Sequence, residues 1–134
     1  MTAFDVWELS LAGSSPYTWT LLTNATAGAP SARSLHTVVS YNSSTFFVFG
    51  GKLSAGKIHL LNVFFKCLDF SASNELWVFD RITNTWTLTG TSGGPPPARY
   101  GHVAAYVGGK MIINGGQDTS GAYLDDSWIF DFGN

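Results

Sequence analysis

The residues of this 134-residue chain that could do chemistry are three histidines (His36, His59, His102), one cysteine (Cys67) and two Arg-x-x-His quartets. Histidine and cysteine together point first to zinc. A structural zinc takes four ligands at short, regular spacings, and these four lie scattered through unrelated contexts, so no metal is expected. A single cysteine also precludes an internal disulfide framework. The glycine pairs Gly50-Gly51 and Gly115-Gly116 could cradle a phosphate, but neither is followed by the lysine and helix start that such a loop requires. Asp118, Asp125 and Asp126 precede an apolar run and read as solvated turn residues. No nucleophile lies beside a base in a recognisable context. The residues predict no catalytic group and no cofactor.

The elements that position these residues repeat. Gly28-Ala-Pro30-Ser-Ala-Arg33-Ser-Leu-His36 returns as Gly94-Pro-Pro96-Pro-Ala-Arg99-Tyr-Gly-His102. Phe46-Phe-Val-Phe-Gly50-Gly51 returns as Met111-Ile-Ile-Asn-Gly115-Gly116, and Leu76-Trp77-Val-Phe-Asp80 as Ser127-Trp128-Ile-Phe-Asp131. A third copy of the last element stands near the start as Val6-Trp7-Glu-Leu-Ser10, and Thr85-Trp86-Thr-Leu88 has a relative in Thr18-Trp19-Thr-Leu21. Every tryptophan therefore occupies one of two repeat positions. Self-similarity of this kind is the mark of a repeat architecture.

Each repeated run is short, β-branched or aromatic, and bounded by Gly, Pro, Asn or Ser, which is a strand signature. Residues 35–42, 45–51, 75–81 and 85–90 read as four successive antiparallel strands, with reversals at Asn42-Ser-Ser, Thr83-Asn84 and Gly108-Gly109. Phe46–Phe49 is apolar at every position, as in a strand covered on both faces. Charged residues make up only 12% of the chain and aromatics 15%, while Ser and Thr fill about a fifth of it, a composition suited to sheets and turns. A net charge of −2 offers phosphate backbones no basic field, so nucleic acid is not an expected partner. The longest apolar stretch, residues 58–70, is too short and too polar to span a bilayer. The first residues lack the basic start and apolar run of a signal peptide, so a cytoplasmic location is expected if Met1 is the true start. Asn24 and Asn42 open glycosylation sequons, which leaves a cell-surface or secreted parent open.

A Pro-Arg-His entry, a strand ending in Gly-Gly, and then a tryptophan strand resemble the kelch repeat. The resemblance covers nearly the whole chain apart from residues 52–73, and implies an all-β fold: a fragment of a kelch-type β-propeller with four-stranded antiparallel blades, not closed on its own. On that pattern residues 1–22 supply the last two strands of a partial blade, 30–90 a complete blade, and 96–132 a blade lacking its fourth strand. The repeated positions Arg33, His36, Gly50, Gly51, Trp77, Trp86, Arg99, His102, Gly115, Gly116 and Trp128 are expected to be structural, since every blade has the same packing problem. The glycines should permit positive φ or close approach, and the tryptophans should hold blade to blade, each burying about 150–250 Å².

Residues 57–70 interrupt this regularity. Excising them aligns the two blades without a gap and brings the arginine spacing close to the kelch period of about 50 residues. The segment reads either as a functional loop, with Leu61, Phe64, Phe65 and Leu68 at helical spacing, or as a retained intron. The kelch resemblance implies a protein-binding scaffold that uses the loops between strands, here residues 52–74, 90–99 and 117–126. Tyr100, Gln117, Asp118 and Tyr123 are the candidate contacts to a protein partner. Further blades in cis, or self-assembly, would be needed to close a ring. The alternative is a fragment of a galactose-oxidase-like or other carbohydrate-related propeller, whose copper site would need ligands that the surroundings of Cys67 do not match.

Overall fold

The computed structural model describes residues 5–11, 16–23, 28–58 and 68–133. Regular structure among them is all β. The strands are β1 (Val6–Ser10), β2 (Thr18–Thr23), β3 (Arg33–Ser34), β4 (Thr37–Ser40), β5 (Thr45–Phe49), β6 (Lys52–Ile58), β7 (Leu68–Ala72), β8 (Leu76–Asp80), β9 (Thr85–Thr89), β10 (Val103–Val107), β11 (Lys110–Asn114) and β12 (Ser127–Asp131). They form antiparallel sheets of order β1-β2, β4-β5-β8-β9, β10-β11-β12 and β3-β6-β7, none of them closed. The four strands expected between residues 35 and 90 are β4, β5, β8 and β9, in that spatial order.

Turn chemistry closes the hairpins. Asn42 Oδ1 accepts the backbone N–H groups of Ser44 and Thr45 at 2.8 and 2.7 Å, reversing the chain between β4 and β5. Asp80 Oδ1 accepts Ile82 N–H at 2.7 Å, and Asn84 adopts a left-handed φ of 54° to enter β9. Asn24, His59 and Cys67 lie outside the described residues, as do Leu61, Phe64 and Phe65. Leu68 belongs to a strand, so the helical reading of the inserted segment is corrected there.

The core forms where the four-stranded and three-stranded sheets face each other. Val39, Phe47, Phe49 and Leu76 meet Met111 and Ile113, all buried, with Tyr106, Trp128 and Phe130 packed around them. The rings of Phe47 and Phe132 are 4.2 Å apart, and Tyr41 meets Tyr106 edge-on at 5.5 Å. The opposite face of the four-stranded sheet turns Val38, Phe46, Val48 and Phe79 toward Val6 and Trp7 across a cleft of about 340 Å³. Cover on both faces explains the unbroken apolar run in β5.

Inter-sheet burial of every tryptophan does not hold. Trp7 and Trp19 are 52% and 64% exposed. They sit on the β1-β2 pair, and two strands alone provide too little surface to enclose an indole.

The described ends of residues 57–70 belong to the arms of a hairpin. Lys57 and Ile58 end β6, Leu68 to Phe70 open β7, and Lys52 pairs with Ala72 and Ile58 with Leu68. The second repeat keeps a miniature of this hairpin, in which Gln117 bridges Tyr123 and Gly121 turns back on Asp118. The hairpin bases are equivalent: Ser73 donates to Gly51 O, and Leu124 to Gly116 O, both at 2.9 Å. Lys57, Ile58 and Leu68 to Phe70 lengthen the arms of a hairpin whose base both repeats possess.

Candidate functional site

Arg33 and Arg99 carry the repeat from sequence into geometry. Each side chain is fully buried, and each uses its donors in the same way. Arg33 Nε donates to Ser31 O at 3.1 Å and Nη1 to Gly50 O at 3.0 Å. Arg99 Nε donates to Pro97 O at 3.1 Å and Nη1 to Gly115 O at 2.8 Å. A carboxylate closes each set: Glu75 receives Arg33 Nη2 at 2.6 Å, and Asp126 receives Arg99 through both oxygens at 2.6 and 2.9 Å. The same carboxylates accept the indole N–H of Trp77 at 3.0 Å and of Trp128 at 2.6 Å. Burying a guanidinium demands this degree of satisfaction.

Asp126 is thus an ion-pair partner, which corrects its reading as a solvated turn residue. Sequence reasoning also missed Glu75, although an acid stands two residues before the tryptophan in all three copies (Asp5, Glu75, Asp126). The Arg99 guanidinium and then the Trp128 indole hold the Asp126 carboxyl far below the usual carboxylate range. Burial works to raise the Glu75 carboxyl, but hydrogen bonds from Trp77 and Arg33 leave it below its ordinary value.

The histidines and glycines lock one sheet to the next. His102 is buried, with Nε2 2.7 Å from Thr37 Oγ1 in the preceding sheet and its ring edge-on to Phe49 at 5.3 Å. Burial, reinforced by Arg99 and His36, lowers its pKa to about 4. Burial and the Arg33 charge lower that of His36 as well. Gly50 has a φ of 65°, and a Cβ there would stand 2.7 Å from Arg99 O and 2.9 Å from the His102 ring. Gly116 has a φ of 100°, with a would-be Cβ 2.8 Å from Tyr100 O. Both conditions foreseen for the glycine pairs, positive φ and close approach, are met at these positions.

Three of the four candidate contact residues come together. Tyr100, Gln117 and Tyr123, with Leu35, Gly101, Gly116 and Leu124, line an open depression of about 310 Å³. Tyr100 and Gln117 exchange backbone hydrogen bonds at 3.0 and 2.9 Å, so the floor is fixed by main chain. Tyr100 is a buried wall, edge-on to Phe70 at 5.6 Å. Lys52 Nζ stands 3.8 Å above the Phe70 ring. Tyr123, at 86% exposure, stands free on the rim. Asp118 does not line the depression; its carboxylate accepts from Ser120 and Ala122 and shapes the loop that presents Tyr123. Leu35, held at a positive φ of 56°, and Leu124 are the lining residues that sequence reasoning overlooked. A smaller crevice of about 60 Å³ lies between the two large sheets, lined by Phe49, Met111, Ile113 and Trp128 among others.

A family model for the KLHDC2/KLHL20/DRC7 Kelch-repeats domain matches residues 5–134. The chain belongs to the kelch-repeat family. The Rab9 effector protein with kelch motifs of Xenopus laevis is 35% identical over 96 residues, 72% of this chain and 23% of the relative. The dynein alpha chain of the flagellar outer arm of Chlamydomonas reinhardtii is 29% identical over 129 residues, 96% of this chain and 2% of that protein. The acyl-CoA-binding domain-containing protein 4 of Arabidopsis thaliana is 38% identical over 82 residues, covering 61% of this chain and 12% of its own length. The chain thus spans less than a quarter of each of these three proteins. In fold it is similar to the solved structure of YjhT, with a TM-score of 0.62 at 22% identity over 87% of this chain and 29% of that one. The fold is that of a kelch-type β-propeller fragment.

Proposed function

We propose that the chain acts as a non-catalytic protein-binding module whose partner docks on the rim around Tyr123. The observation that carries this reading is the depression lined by Leu35, Tyr100, Gln117 and Tyr123, where a rigid backbone floor presents an almost fully exposed tyrosine. Exposed aromatics on a rigid support are the usual anchors of protein interfaces. Among the described residues, groups that could have done chemistry are committed elsewhere. Both arginines are saturated by carbonyls and carboxylates, and His102 is held by Thr37. Kelch segments similar to this one occur in an effector, a dynein chain and an acyl-CoA-binding protein. A module carried into such different proteins fits binding better than one conserved reaction.

A photoreactive phenylalanine analogue placed at position 123 tests the reading, with the same analogue at Thr87 on the outer strand β9 as control. Crosslinks to a discrete protein partner from position 123 and none from 87 are expected. Crosslinking from 87 alone, or from neither, would overturn the assignment of the rim.

A further inference from the structure

The described basic side chains fall into two groups. Arg33, Arg81, Arg99 and Lys110 each face a carboxylate, those of Glu75, Glu8, Asp126 and Asp131 in turn. Lys52 does not. Its Nζ stands 3.8 Å from the centre of the Phe70 ring and 5.3 Å from that of Tyr100, and the two rings meet edge-on at 5.6 Å. Strand pairing sets this up: Lys52 pairs with Ala72 and Ser54 with Phe70, so alternation puts Lys52 and Phe70 on one face of the hairpin. Ring faces hold an ammonium in place but leave its N–H donors without an oxygen. Among the described residues, none supplies one to Lys52.

Segments of both repeats flank this lysine. Ser34 of β3 pairs with Lys52 on one side, and on the other the Ala72 N–H donates to Thr119 Oγ1 at 2.9 Å, from the loop of the following repeat. The second repeat carries Gln117 in the place of Lys52, after its glycine pair, and Gln117 bridges Tyr123 as Lys52 pairs with Ala72. The repeats therefore diverge at two rim positions, one bearing a charge and the other an exposed ring. Tyr100 belongs to both, since it walls the depression and borders Lys52. Asp118, the acid of the adjoining loop, is taken by Ser120 and Ala122.

We propose that Lys52 is a specificity residue of the rim, reading an aspartate or glutamate side chain of the protein segment that docks at Tyr123. This rests on the assignment of the rim as the docking surface. The lysine is half-buried against two rings, and a carboxylate supplies both its counter-charge and the missing acceptors. The chemistry favours a carboxylate over a phosphate. One lysine offers a single charge and no fork of donors, whereas phosphopeptide readers gather arginines. Arg33 and Arg99 are already taken by Glu75 and Asp126.

The test is selection of a phage-displayed library of random dodecapeptides on the 134-residue chain. Recovered peptides should be lost with Tyr123→Ala and should share an acidic residue at a fixed spacing. In fluorescence polarisation, changing that acid to its amide should weaken binding to the wild-type chain about tenfold. Lys52→Met keeps an apolar stem over the rings, and to that chain the acid and amide peptides should bind alike. The change in the peptide leaves the protein untouched, so it decides the matter even where Lys52→Met folds poorly. Tyr123-dependent peptides with no shared acid, or an acid–amide difference that is absent in wild type or persists in Lys52→Met, would overturn the proposal and leave the rim assignment standing. Peptides indifferent to Tyr123, or none recovered, would remove the rim assignment and the proposal with it.

Discussion

Arg99 carries a full charge inside the protein, and its worth depends on Asp126. Replacing Asp126 with asparagine keeps the shape but leaves the buried guanidinium without its counter-charge. Breaking a buried pair costs about 3–5 kcal/mol; the Asp126 side chain is 35% exposed, so we expect about 2–3 kcal/mol in urea denaturation. Glu75→Gln should act in the same direction at the equivalent site. Acid should weaken the protein in two stages. His102 titrates at 6.5 when unfolded and at about 4 when folded. Between these values the unfolded chain binds the extra proton, so stability falls as pH drops from 6.5 toward 4, by on the order of 2–3 kcal/mol. His36 adds to the loss in the same sense. The lowered carboxyls of Asp126 and Glu75 hold their contribution until still lower pH, where protonation removes it. Stability measured against pH should slope between 6.5 and 4, and slope less steeply there in a His102→Gln variant, with the His36 share remaining. The arginines and histidines were legible in the sequence because they recur in register. The acids recur too, but a Glu and an Asp at one repeat position hide the pattern from a search for identical residues.

Among the elements, β4, β5, β8 and β9 could be read from composition and turn residues, since Asn42 reverses the chain between β4 and β5 and Asn84 between β8 and β9. What could not be read is which side each sheet would cover. Trp7 and Trp77 occupy the same repeat position, yet Trp7 is largely exposed, because burial is set by the neighbouring sheet and not by the strand. The β6–β7 hairpin is a similar case. Its helix-like spacing was real in the sequence, but pairing with β3 and β7 decides the conformation of the described arms. Deleting residues 57–70 should return this hairpin to the size of its counterpart at 117–123. The loss of the edge-on contact between Phe70 and Tyr100 should cost about 1 kcal/mol, read as a modest drop in melting temperature. Gly50→Ala should cost more, about 2–4 kcal/mol, because a left-handed φ and contact with Arg99 O penalise the same methyl group.

For the whole molecule, the kelch fold separates the parts that hold the sheets together from the rim proposed to meet a partner. The arginine–carboxylate–tryptophan sets, the glycine pairs and His102 lie inside and between sheets. Tyr123 and its depression lie at the ends of the strands, on loops that the repeat leaves free to vary. Sequence reasoning found Tyr123 by subtraction, as an aromatic that no strand consumed. It could not find Leu35 or Leu124, which are tied to the depression by long-range backbone hydrogen bonds, from Gly101 N–H to Leu35 O and from Leu124 N–H to Gly116 O. This division of labour makes a direct demand on one variant. Partner affinity of Tyr123→Ala should be measured by titration calorimetry on the protein captured at position 123, beside thermal melts of the same preparations. The account predicts affinity lower by about tenfold or more, with the melting temperature of wild type. Unchanged affinity, or a loss of affinity that only follows a loss of stability, would contradict it.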